Sequence, residues 1–202
     1  MADSHCGRIS SWCNCRVLLV SLLLVAVGSA TAAQDSKTGK TQARPEVAPR
    51  GQREAKDITY GEWRKLCFKP GGAKTVCRTS ITGSFPTGQM AVRVDLIERE
   101  GDPVARLQLF VPVGMFLQHP VKLSVDQGTA LQVPYTWCVT NLCIAADVAH
   151  PKFVEGMESG KMLALEVVDS NLLALTTSMP LAQFATVHKG APAQTLQQDI
   201  DE

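Results

Sequence analysis

Gln89-Met90-Ala91-Val92-Arg93-Val94-Asp95-Leu96 decides the fold class, because Met90, Val92, Val94 and Leu96 alternate with Gln89, Ala91, Arg93 and Asp95. A period of two puts the two sets on opposite sides of a pleated backbone, so this stretch predicts a strand buried on one face. The pattern recurs outward from it. Leu107, Leu109 and Val111 share a face; Val121, Leu123 and Val125 oppose Lys122, Ser124 and Asp126; Leu163, Leu165 and Val167 oppose Glu166; and Leu173, Leu175 and Thr177 continue the series. Turn chemistry separates these runs at Lys69-Pro70-Gly71-Gly72, Arg99-Glu100-Gly101-Asp102-Pro103, Asp126-Gln127-Gly128 and Asp169-Ser170-Asn171. Many short strands punctuated by turns predict a mainly β domain, a small antiparallel β-sandwich or barrel-like fold. A single short helix is predicted over Pro151 to Ser159, where Phe153 and Met157 lie one turn apart and Gly160 can end it.

Around this domain the composition changes. Arg8 and Arg16 precede the apolar run Val17 to Val27, and small residues follow from Gly28 to Ala33. This is the layout of a cleavable export signal over residues 1–33; the run falls well below the ~20 residues that span a bilayer. Residues 34–57 are rich in Lys, Arg, Gln, Pro and Gly without an aromatic residue, and read as a disordered linker. The switch to aromatic and β-branched residues at Ile58 opens a β domain assigned to 58–190, and 191–202 reads as a flexible acidic tail.

Of seven cysteines, Cys6, Cys13 and Cys15 leave with the signal, and Cys67, Cys77, Cys138 and Cys143 stay. In an oxidising compartment four cysteines imply two bridges, with three connectivities open. The pairing taken here is Cys67–Cys77 with Cys138–Cys143, because each pair lies in two strand segments joined by a short turn. By loop closure they contribute about 3 and about 2 kcal/mol.

The functional classes narrow by chemistry. A formal net charge of +1 with scattered basic residues carries no footprint for nucleic acid. His119, His150 and His188 stand in no metal-binding spacing and read as solvated loop residues. Gly156 to Met162 is one residue short of a phosphate loop and has Met where Ser or Thr would meet magnesium. Neither cysteine pair has the C-x-x-C spacing of a zinc knuckle or a redox site, so the bridges read as structural. No catalytic residue, cofactor or metal is assigned, and the chain is expected not to be an enzyme. Trp63, Tyr135 and Trp137 are expected to pack over the bridges, with an exposed recognition patch as the alternative. The run Val111-Pro112-Val113-Gly114-Met115-Phe116-Leu117 lacks alternation; burial is expected, and Met115, Phe116 and Leu117 are the candidate interaction surface if it is exposed.

From Tyr60 to Phe184 the chain resembles the invasion-associated locus B family. The resemblance lies in Gly61-Glu62-Trp63 leading to Cys67 and Cys77, Val111-Pro112-Val113-Gly114, a strand ending at Asp126, and the segment from Tyr135 through both cysteines to Ala145. Leu142 and Gln183 stand where the family often has Gly, differences that bear on local turn shape. The resemblance implies an exported protein of the periplasm, outer membrane or cell surface, linked in pathogenic relatives to entry into host cells, and it supplies no catalytic residues. The leading expectation is a non-enzymatic interaction module for an envelope or host protein, with peripheral membrane association as a further mode. A periplasmic small-ligand-binding β domain, with an apolar pocket near Met115-Phe116-Leu117, is the alternative, and a hydrolase with an unfamiliar site ranks below both.

Overall fold

The computed structural model describes residues 47–198; the export signal, Cys6, Cys13, Cys15 and the last four residues lie outside them. In chain order the elements are β1 (Gly51–Glu54), β2 (Thr59–Tyr60), β3 (Arg64–Lys69), β4 (Val76–Ser84), β5 (Met90–Arg99), β6 (Ala105–Pro112), β7 (Val121–Val125), β8 (Leu131–Val133), β9 (Tyr135–Cys138), β10 (Leu142–Ala149), α1 (Pro151–Ser159), β11 (Met162–Val168), β12 (Leu173–Pro180), α2 (Phe184–Lys189) and β13 (Gln194–Gln197). The alternating run from Met90 to Leu96 lies in β5, in the middle of the larger sheet.

An eight-stranded sheet runs β13-β3-β4-β5-β6-β10-β9, with β2 also on β4, and a five-stranded sheet runs β1-β12-β11-β7-β8. They form a sandwich-like fold. Val94, Leu96, Leu107 and Leu109 from one sheet and Val121, Leu123, Leu163 and Met179 from the other are fully buried between them. Each such side chain contributes about 1.5–3 kcal/mol through removal from water. Each helix lies on a crossover between the sheets: α1 carries the chain from β10 to β11, and α2 carries it from β12 to β13. Met157 of α1 and Phe184 of α2 extend the core.

The predicted helix over Pro151–Ser159 is present, and Gly160 ends it with its N–H on Gly156 O at 2.8 Å. The turn residues act through side-chain acceptors. Asp126 accepts from the Lys161 and Met162 N–H groups, and Asp169 Oδ1 accepts from Asn171 N at 2.9 Å and Leu173 N at 2.8 Å. These bonds hold turns in which Asp126, Gln127 and Leu172 have positive φ.

Three expectations need correction. The linker does not extend to Asp57: Gly51–Glu54 pairs in parallel with Leu173–Thr176, flanked by Arg50 N to Leu172 O at 2.7 Å and Ala55 N to Thr176 O at 2.8 Å. The tail is not free from 191 on, since Gln194–Gln197 pairs in parallel with Leu66–Lys69. All eight residues of these two strands are exposed. Backbone hydrogen bonds pair them to their sheets, and composition does not report on those; their mostly polar residues also suit outermost strands, which must resist pairing with other chains. Finally, the domain has a second helix, α2, too short for its period to stand out.

Candidate interaction surface

Both bridges form as expected. Cys67–Cys77 joins directly opposed residues of β3 and β4, and Cys138–Cys143 does the same for β9 and β10. The Val111 to Leu117 run divides. Val111 is buried, Met115 is half-buried and packs against the core, Phe116 is half-buried with its N–H on Val168 O at 2.7 Å, and Leu117 is 50% exposed. Met115, Phe116 and Leu117 therefore form no continuous exposed face.

The histidines divide as well. His150 is exposed, but His119 is 2% exposed, with Nδ1 3.2 Å from Pro120 O. His188 sits on α2 between Glu98 of β5 (Nε2 to Oε1, 3.0 Å) and Glu158 of α1 (Nδ1 to Oε1, 2.9 Å). Two of the three are thus not solvated loop residues, because residues distant in sequence enclose them. Among the described residues no group of three or more His, Cys, Asp or Glu is placed to hold a metal ion.

Of the three rings expected over the bridges, Trp63 and Tyr135 turn to the core. Trp63 donates from Nε1 to Pro180 O at 2.8 Å and meets Phe184 edge-on, centroids 4.8 Å apart. Trp137 does not. It is 58% exposed on β9, the last strand of the larger sheet. Its neighbour Cys138 is bridged to the buried Cys143, successive strand residues point to opposite faces, and the register shift between Ile144 and Ala145 breaks the alternation between Trp137 and Tyr135, so Trp137 faces outward. Directly opposed residues share a face, and the register Trp137↔Ile144, Ile144↔Phe110, Phe110↔Arg93 continues that outward row across β10, β6 and β5. Leu142 and Pro112 form the adjacent row, with Val139 beside it, its N–H on Leu142 O at 2.8 Å and its side chain 42% exposed. The result is an exposed aromatic anchor with an aliphatic rim on a hairpin held by the Cys138–Cys143 bridge.

The patch ends in charge. Arg93 lies over the Phe110 ring, its guanidinium carbon 5.3 Å from the centroid. It grips Asp95 through two bonds, Nε to Oδ1 at 2.7 Å and Nη2 to Oδ2 at 3.0 Å, while Arg78 Nε approaches to 3.7 Å. Asp95 is wholly inaccessible to solvent, and burial holds its carboxyl above the ordinary value in spite of both guanidiniums.

The His188 cluster gives the fold a pH dependence. Glu98, followed by Glu158, raises the His188 pKa above its ordinary 6.5 against the opposing effect of burial. The contribution of charged His188 is therefore fully present below about pH 6.5 and is lost as pH rises through the higher folded-state value. Glu98 is held below its ordinary value mainly by the His188 bond, and Glu158 mainly by Lys189 (Nζ to Oε2, 2.7 Å). Their contribution is present above about pH 4.5 and is lost as pH falls through the lower folded-state values. The expected result is a urea midpoint that declines above pH 6.5 in the wild type, with that decline absent in His188→Gln; equal slopes in the two proteins would remove His188 as its source.

The fold and surface define a class: a disulfide-braced β-sandwich with a localised apolar contact patch. The sequence model of the Invasion associated locus B (IalB) protein family matches residues 63–192, and the chain belongs to that family. Among solved structures, the crystal structure of invasion associated protein B from Bartonella henselae is similar at 26% identity and a TM-score of 0.57, over 64% of this chain and 90% of that one. No curated protein sequence matches the chain. Among the described residues, no helix is long and apolar enough to cross a membrane.

Proposed function

We propose that this chain is an exported, non-enzymatic protein of the bacterial envelope that binds a partner protein, of the envelope or of a host cell, through the Trp137 patch. One observation carries the reading: a largely exposed tryptophan stands on a bridged edge hairpin with aliphatic neighbours. Tryptophan is among the residues that most often dominate binding energy when a partner removes it from water. Holding the ring on a braced hairpin lowers the ordering entropy that association costs. The charged run, apolar run and small-residue site in residues 1–33 support export. The name of the Bartonella relative supports a role in invasion.

The test is mild crosslinking of purified mature protein to envelope extracts and to host-cell membranes, comparing wild type, Trp137→Ala and the remote surface variant Leu196→Ala. A partner retained by wild type and by Leu196→Ala, and reduced at least tenfold by Trp137→Ala, is the expected result. Equal retention by all three proteins would overturn the assigned surface, and no retained partner would overturn the module itself.

A further inference from the structure

Between residues of the two sheets, an apolar cleft of about 240 Å³ opens beside Met115. Val92 and Val111 line it from the larger sheet, Leu165 and Leu175 from the smaller. The segment between β1 and β2 crosses it and supplies Ala55 and Ile58 as an outer wall. Only Thr176 and Thr177 have polar side chains among the lining residues; the Thr177 hydroxyl is hydrogen-bonded to Tyr60 Oη, and the Thr176 backbone carbonyl accepts from Ala55 N–H. No charged side chain lines it.

We propose that this cleft binds a single aliphatic chain of a small amphiphile, with the polar head left outside. Protein interiors are close-packed, and an unfilled apolar volume of this size lowers stability, so an apolar occupant gains transfer free energy and contacts together. A sugar, nucleotide or peptide would forfeit its hydrogen bonds there without replacement. Taking a methylene group as about the size of a water molecule, about 30 Å³, the volume accommodates roughly eight carbons. This site is separate from the Trp137 patch and stands whether or not that patch binds a protein.

The experiment is calorimetric titration of the mature protein with the primary alcohols from 1-hexanol to 1-dodecanol, below their solubility limits. The expected result is saturable one-to-one binding that tightens about fourfold per methylene up to roughly eight carbons and then levels off. Ala55→Phe, placing a ring in the cleft from its outer wall, is expected to weaken 1-octanol binding at least tenfold, whereas Trp137→Ala leaves it unchanged. Absence of saturable binding, a gain that continues undiminished through 1-dodecanol, or full binding by folded Ala55→Phe overturns the proposal; should Ala55→Phe fail to fold, the chain-length series decides. Sedimentation with vesicles of phosphatidylethanolamine and phosphatidylglycerol separates the sources of the chain. Co-sedimentation lost in Ala55→Phe identifies a membrane-lipid tail, and alcohol binding without co-sedimentation a free amphiphile.

Discussion

Phe184→Ala is expected to destabilise the domain by about 4 kcal/mol, within the range for deleting a fully buried phenylalanine. The ring is inaccessible to solvent at the start of α2, meets Trp63 edge-on, and stacks on His188 with centroids 5.2 Å apart. Its loss leaves a void between the β3 end of the larger sheet and the α2 crossover. The Trp63 indole, held at Pro180 O, cannot follow it inward without breaking that bond. α2 also carries the chain into β13, so the variant should loosen the parallel pairing of Gln194–Gln197 with β3 as well. Urea unfolding followed by circular dichroism tests this: a midpoint lowered by about 2 M is expected. A change below about 1 kcal/mol would mean that α2 is peripheral to the cooperative unit.

Arg93→Ala should cost about 3 kcal/mol through a different mechanism. Removing one member of a buried ion pair leaves the other charge without compensation, and the residual carboxylate dominates the cost. Arg78, at 3.7 Å and a single contact, replaces little of the two-bond grip on Asp95. The sign of the pH effect separates this from lost packing over Phe110. Burial already raises the Asp95 pKa, and without Arg93 it rises further. An acid with a raised folded-state value is destabilising while charged and is relieved by protonation, so the deficit of Arg93→Ala relative to wild type should shrink as pH falls through that value. Arg93→Met with Asp95→Leu should recover most of the loss, since a matched apolar pair removes the uncompensated charge. A deficit independent of pH and not recovered by the double substitution would assign the effect to the Phe110 contact.

Much of the architecture was legible locally. Val92, Val94 and Leu96 on one side of β5, the turn acceptors Asp126 and Asp169, and the helix ended by Gly160 all follow from chemistry within a few residues. The bridges were legible too, because each closes a hairpin and directly opposed residues are the natural partners. The opposite directions of Tyr135 and Trp137 were not legible, because two residues apart on a regular strand they would share a face, and the register shift between Ile144 and Ala145 separates them. The role of Asp95 was not signalled: as the polar member of an alternating strand it belongs on the solvent side, yet it is inaccessible to solvent and paired with Arg93 and Arg78.

The sequence by itself therefore determined the strands, their faces, the turns and the bridges, since each depends on side-chain periodicity or short-range closure. Only the tertiary structure decided the rest. Gly51–Glu54 and Gln194–Gln197 join the sheets through backbone groups that every residue carries, so no side-chain pattern announces them. His188 acquires Glu98 and Glu158 from elements far away in the chain. The cleft is lined by both sheets and by Ala55 and Ile58 of the segment between β1 and β2, a matter of how distant surfaces meet.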